Sequence, residues 1–344
     1  YGRLSEQAAV IDRWTERLKK PFLSADGAFA VRSEMLPNPM GTVAEDWAEC
    51  SEWTRELAAG LFARPDVVGW NICGVMELWK TAPGREQKQH QGIMDPFGKI
   101  QPGMESAIRD VTSRLYHIAN TQNTEAEDVG ATPADDEGPN IIGRKGFVHV
   151  ERTGGVWFMV NAEGERFVPT GMNHVGPMSR FAPYNRDFWI EQFGPRLFSA
   201  SGYIDWHGPG VKKWLNRIAK DHKDYGFNTL AFHHPPTMPS EYCNQLKLDY
   251  FGKKRMSHVH ARRARTMSPD KKFPDVFDPT WLANLDRHVE RFTARHKNAK
   301  YLLGYSYDDL PAYTIHNLER RIEGFEHHPW ILDIISKPGL TEGK

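Results

Sequence analysis

Tyr301-Leu302-Leu303-Gly304-Tyr305-Ser306-Tyr307-Asp308-Asp309-Leu310-Pro311 climbs from an apolar, aromatic run of strand character to two carboxylates and halts at a proline. β-branched, aromatic and aliphatic residues fit a pleated surface, and proline cannot continue a strand ladder. In a β/α barrel the reactive groups sit where a strand ends and its loop begins. A second stretch, Pro21-Phe22-Leu23-Ser24-Ala25-Asp26-Gly27-Ala28-Phe29, is built the same way and runs up to Asp26. The two together suit an α/β fold in which carboxylates from two strand ends meet at one mouth.

Outward from these strands, helical and strand-like segments alternate. Ser5 to Leu18 places Ala8, Ile11, Trp14, Thr15 and Leu18 on one helical face, and Glu45 to Phe62 offers Trp47, Trp53, Leu57 and Leu61. Arg64-Pro65-Asp66 ends that helix, and Val67 to Cys73 reads as a buried strand. Met104 to Ile118 is helical again. Residues 120–140 are acidic, nearly free of apolar side chains and unable to offset their ordering entropy by burial, which marks them as a linker. The expected organisation is therefore 1–119, the linker 120–140, and 141–344. Beyond the linker, Phe147–Val150 and Val156–Val160 predict a short β-hairpin before the first barrel strand, with Asn161 to Glu165 as a turn. Phe167–His174, Phe227–His234 and Tyr301–Tyr307 predict further strands. Helices are expected at Lys212–Tyr225 and Pro279–His296, and at Asn317–Ile335 in two pieces around Pro329.

Composition removes several function classes. Lys+Arg and Asp+Glu are both 44, so the chain lacks the basic field that engages phosphates, and the basic run His258–Arg265 is short. No nucleic-acid partner is expected. No apolar run reaches the roughly 18 residues a membrane span needs, so none is expected, and the amino terminus has no apolar signal-peptide core. Cys50, Cys73 and Cys243 are far apart, odd in number and form no CxxC pair, which argues against a disulfide framework or structural zinc.

Paired carboxylates on two strand ends are the minimal equipment for hydrolysing a glycosidic bond, a reaction that needs no cofactor. The stretch Val156-Trp157-Phe158-Met159-Val160-Asn161-Ala162-Glu163-Gly164-Glu165-Arg166-Phe167-Val168-Pro169-Thr170-Gly171-Met172-Asn173 resembles the opening of the catalytic barrel in β-agarase-type glycoside hydrolases. Phe273-Pro274-Asp275-Val276-Phe277-Asp278-Pro279, with Leu303-Gly304-Tyr305, is similar to that family's approach to its acid/base strand. Asp66-Val67-Val68-Gly69-Trp70, with Gly84-Arg85 and Gly92-Ile93, looks like its last strand and substrate loop. The segments like the family's last strands, in 1–119, precede the linker here, and those like its first strands through the acid/base strand, in 141–344, follow it; about six barrel strands are found where eight are expected. The resemblance therefore implies an α/β fold, a (β/α)8 TIM-type barrel that is circularly permuted or incomplete.

The resemblance implies roles as well as fold. Asp309 falls where the family has its general acid/base and Asp26 where it has its nucleophile, both usually Glu; Asp308 is the neighbour that would raise the Asp309 pKa. Helix capping for Asp309 and a tight Asp-Gly turn for Asp26 are the competing structural readings. Each Asp is one methylene shorter than Glu, which widens the carboxylate gap on fixed strands by about 1–2 Å, toward the spacing of inverting enzymes. Glu34 and Glu77 are reserves in overhanging loops. Asn173, His174, His233 and His234 end strands and are expected to hydrogen-bond sugar hydroxyls, with structural hydrogen bonds as the competing reading; no third ligand accompanies the histidines, so no metal is expected. Trp70, Asn71, Glu77, Tyr305, Tyr307 and Arg85 complete the expected substrate contacts, with Trp79 and Trp206 as further rings for stacking and His90 beside Arg85. A β-linked, galactose-containing glycan such as agar is the implied substrate, with a secreted or periplasmic location if it is a polysaccharide. A non-catalytic carbohydrate-binding relative, or an inverting hydrolase of another glycan, is the alternative.

Overall fold

The computed structural model describes residues 3–39, 41–77, 79, 91–128, 141–153, 155–177, 182–197, 204–231, 240–246, 248–253, 278–294, 296–299 and 301–306. Two compact units are present, Tyr1–Phe251 with Lys300–Gly304, and Gly252–Ala299 with Tyr305–Lys344. The strands are β1 (Phe22–Gly27), β2 (Phe29–Val31), β3 (Thr42–Ala44), β4 (Val67–Ile72), β5 (Ile141–Ile142), β6 (His149–Thr153), β7 (Val156–Val160), β8 (Arg166–Phe167), β9 (Thr170–Met172), β10 (Thr229–Leu230), β11 (Asp249–Lys253) and β12 (Leu302–Ser306). The helices are α1 (Leu4–Leu18), α2 (Trp47–Phe62), α3 (Met104–Asp128), α4 (Arg186–Phe193), α5 (Pro209–Tyr225), α6 (Ser240–Leu246) and α7 (Pro279–Ala294).

The architecture is mixed α/β around a six-stranded sheet of order β1-β4-β9-β10-β11-β12. Every pairing from β1 through β11 is parallel. Leu23 of β1 and Leu303 of β12 lie at opposite ends of this order, yet both pack against Val68, Met159 and Phe167. A flat sheet would hold those two strands about 24 Å apart. The sheet therefore curls around the cluster. Met159 and Phe167 reach it from a second, antiparallel sheet, β5-β6-β7-β8. The Trp157 amide donates to the Pro65 carbonyl at 3.0 Å, which seats this hairpin beside the N-terminal end of β4.

The helices bury the stripes their sequences dictate. Asp46 caps α2 by accepting the Glu49 amide at 2.8 Å, and Cys50, Thr54, Leu57 and Leu61 recur at helical spacing on the buried face. Each fully buried leucine of that stripe contributes about 1.5–3 kcal/mol. α5 buries Val211, Trp214, Leu215, Ile218 and His222 and ends at Gly226, whose left-handed φ of 74° suits the residue following a helix.

Three sequence expectations are corrected. α1 buries Ile11 and half-buries Leu4, Ala8 and Thr15 beside it, while Trp14 and Leu18 are exposed, so its covered face is narrower than the apolar stripe. The strand expected from Phe167 to His174 divides into β8 and β9, because Pro169 has no N–H for a ladder and turns its carbonyl to the Trp70 amide at 3.0 Å. The helix expected to end at Ile118 runs on to Asp128, into the segment read as a linker, since no Gly or Pro interrupts it.

Candidate functional site

The C-terminal ends of β1, β4 and β9 are tied together by backbone and side chain. The Cys73 amide donates to the Gly27 carbonyl at 3.3 Å and the Asn173 amide to the Ile72 carbonyl at 3.0 Å. Asn173 Nδ2 donates to the Ala25 carbonyl at 2.8 Å. Since β4 lies between β9 and β1, this bond crosses two strand spacings, about 9–10 Å in a flat sheet. Curvature at the strand tips brings them within reach of one another. Asn173 is fully buried, and Asp26 follows directly on the carbonyl it holds. His174 comes next with φ 58°, a left-handed conformation uncommon for a non-glycine residue and favoured at ligand-facing turns.

Polar side chains are sealed into the same region. Asn71, at 0% exposure, pairs in register with Gly171, and among the described residues neither amide atom of its side chain has a hydrogen-bond partner. A Cβ at Gly171 would lie 2.9 Å from Asn71 Oδ1, so glycine is what leaves room for the carboxamide. Trp70 is also fully buried; its ring lies against Phe62 and Phe227, with centroids 6.2 and 6.4 Å away, and fills core space. Gln91, 1% exposed, is the second carboxamide with no partner for either atom among the described residues. The segments around it interlock backbone to backbone: a Cβ at Gly74 would sit 2.1 Å from the Gln91 carbonyl oxygen, and one at Gly92 2.2 Å from the Met76 carbonyl carbon.

Glu77 leaves β4 along this interlocked segment, with its amide donating to the Met94 carbonyl at 2.8 Å. Its side chain is buried, and Oε2 accepts the Trp79 indole N–H at 2.7 Å. Burial pushes the carboxyl up to about 7; Asp95 adds to the rise, while the bonds from Trp79 and Gln101 oppose it. The group therefore exchanges its proton near neutral pH, the range a general acid requires. Trp79 stacks on Tyr184 (centroids 5.9 Å apart, planes 28°), and its amide donates to the Tyr184 hydroxyl at 3.0 Å. Phe97 meets Trp79 edge-on at 5.9 Å. Tyr184 and Phe97 were not singled out by sequence, although Asp95-Pro96-Phe97-Gly98 is a legible turn.

The other expected residues fall elsewhere. Tyr305 is partly exposed and packs on Phe292 and His296 of its own unit, at 5.2 and 6.0 Å. Glu34 is exposed in the turn closed by Ser33 and Leu36. Trp206 stacks on Tyr242. Asp308, Asp309, Tyr307, His233, His234, Arg85 and His90 lie outside the described residues. Cys50, Cys73 and Cys243 are buried free thiols, and burial pushes Cys50 and Cys243 up to about 12. Among the described residues no group of three His, Cys, Asp or Glu side chains is placed to hold a metal, and no helix is long and apolar enough to cross a membrane.

No protein-family model matches the chain, and no curated protein matches it. Among solved structures it is similar to an agarase, AgWH50C, at 16% identity over 63% of this chain and 38% of that one, with a TM-score of 0.34. It is similar also to PfGH50B, at 18% identity over 62% and 35%, again with a TM-score of 0.34. The chain thus spans little more than a third of the length of either. Neither likeness assigns a role to any residue of this chain.

Proposed function

We propose that this chain is a glycoside hydrolase of the two-carboxylate type, acting on a β-linked galactose-containing glycan. The observation that carries the reading is the Asn173–Ala25 bond, which draws the end of β9 to the end of β1 beside Asp26. Strand ends stitched together on the C-terminal side of a parallel sheet are where such sites form. Asp309 protonates the leaving oxygen and Asp26 serves as nucleophile, or as the base for a water if the reaction inverts. His174 meets substrate hydroxyls at the end of β9, where Asn173 holds the strand tips together. A permuted order of barrel strands belongs to the same reading, as does export if the substrate is a polysaccharide.

A panel of β-linked oligosaccharides, with product anomers followed by NMR, tests the reading. Hydrolysis of galactose-containing members is expected, with Asp309→Asn abolishing turnover while leaving binding intact. Undiminished turnover in Asp309→Asn would remove Asp309 from the mechanism. Binding without any turnover in the parent chain would leave a carbohydrate-binding protein in place of an enzyme.

A further inference from the structure

Trp79 and Tyr184 come from the loops that follow β4 and β9, which are neighbours in the parallel sheet. Their rings are stacked, both are only partly buried, and Phe97 at the edge is 37% exposed. We propose that Trp79 and Tyr184, with Phe97 at their rim, form a stacking subsite for a pyranose ring of the glycan, and that Glu77 is the residue that positions the Trp79 ring. The inference rests on the glycoside hydrolase reading and adds to it a subsite away from the carboxylate pair.

The shelf is built rigid, as a binding platform must be if ordering entropy is not to consume its affinity. Asp95 Oδ1 accepts the amides of Phe97 and Lys99 at 2.9 and 3.0 Å, closing the turn that presents Phe97. From beneath, Asn185 Nδ2 and Trp189 Nε1 both donate to the Pro96 carbonyl, at 2.7 and 2.9 Å. Arg217, paired with Asp221 at 2.6 Å, donates to the Gly98 carbonyl at 3.0 Å. The indole N–H of Trp79 is consumed by Glu77, so what the ring offers a ligand is its face. A flat apolar face with a polar margin suits the C–H face of a sugar better than a charged or extended ligand.

Glu77 makes the subsite sensitive to pH. A carboxylate holds the indole N–H more firmly than a carboxylic acid does. The groups that face Glu77 are Asp95 on the neighbouring turn, Cys50 of α2 and Tyr184. The Cys50 thiol and the Tyr184 phenol are both pushed upward by burial and stay neutral near pH 7. Binding of long substrates is therefore expected to tighten as pH rises through about 7, following Glu77.

The test is steady-state hydrolysis of an oligosaccharide series of increasing length. Trp79→Ala is expected to raise KM about tenfold for long members, leaving kcat and the shortest cleaved member unchanged. Phe97→Ala removes a ring that is 37% exposed and is expected to raise KM about threefold, again for long members only. Glu77→Gln keeps an acceptor for the indole N–H and is expected to abolish the pH dependence of KM between pH 6 and 8. If the parent chain cleaves the series and KM is the same for all lengths in both Trp79→Ala and Phe97→Ala, the subsite is overturned while the hydrolase reading stands. If Glu77→Gln keeps the parental pH profile, its positioning role is overturned. If the parent chain neither binds nor cleaves any member, the hydrolase reading falls and the subsite with it.

Discussion

Asn228 and Asn71 carry the same side chain one register step apart in the same parallel sheet, since Asn71 and Thr229 both pair with Gly171, and their surroundings could hardly differ more. Asn228, ahead of β10, uses its carboxamide fully: Oδ1 accepts the Thr170 amide and the Thr229 hydroxyl, both at 2.8 Å, and Nδ2 donates to the Val168 carbonyl at 3.0 Å. Asn71, near the C-terminal end of β4, is fully buried with both amide atoms unpaired. A buried polar group left without a partner costs free energy, so a protein tolerates it where something other than stability is served. The N-terminal end, plugged by the hairpin cluster of Val68, Met159 and Phe167, is a stability device. The C-terminal end gathers the unpaired carboxamides, the left-handed His174 and a carboxyl that titrates near 7. The same division separates scaffold from site in barrel enzymes.

The sharpest way to break this contrast is to remove the satisfied amide. Asn228→Ala loses four hydrogen bonds, the longest from the Thr170 hydroxyl at 3.4 Å, and strands the Thr170 amide, so at about 1 kcal/mol each a loss of roughly 4 kcal/mol is expected. Chemical denaturation measures it; a loss below about 1 kcal/mol would show that Asn228 is not the clamp its contacts suggest. Next in size is Glu77. Its folded pKa, about 7, lies above the ordinary 4.5, so the native state holds the proton more tightly than the unfolded chain. That stabilisation is complete below about pH 4.5 and is lost as pH rises through about 7, a span worth roughly 3 kcal/mol. Denaturation at pH 5 and pH 8 should show the parent losing stability across that interval more steeply than Glu77→Gln. Parallel curves for the two proteins would mean that the carboxyl titrates in its ordinary range.

Much of the scaffold was legible in the sequence because its signals are local. The runs at Phe22, Val67, Val156 and Leu302 combine strand-forming residues with turn residues at their ends, and each is a strand in the structure. β11 carries no such signal, since Asp249-Tyr250-Phe251-Gly252-Lys253 has neither an apolar run nor a clean alternation. The exposure of Trp14 in α1 shows the opposite failure: helical periodicity places residues on one face and does not say whether anything covers it. At the candidate site, strand-end residues such as Asn173 and Asn71 could be picked out, because a polar side chain at the end of an apolar run is a local pattern. The partnership of Trp79 with Tyr184 could not. It joins residues 105 apart through two loops, and only the pairing of β4 with β9 brings them together.

Two smaller effects sharpen the contrast from the other side. Asn71→Leu replaces an unpaired carboxamide with an apolar group of similar shape, so a gain of about 1–2 kcal/mol is expected where most core substitutions lose stability. A melting temperature that falls would mean that Asn71 has a partner in solution. The smallest effect is at His174, whose φ of 58° is a conformation that asparagine adopts more readily than most residues. His174→Asn should therefore change stability by less than about 1 kcal/mol, while kcat/KM on the cleaved oligosaccharide falls if the imidazole meets substrate. Stability and activity would then part company at one residue of the C-terminal end, as they should not at Asn228. There a loss of activity is expected only through the loss of folded protein, and denaturation curves recorded beside the kinetics separate the two cases.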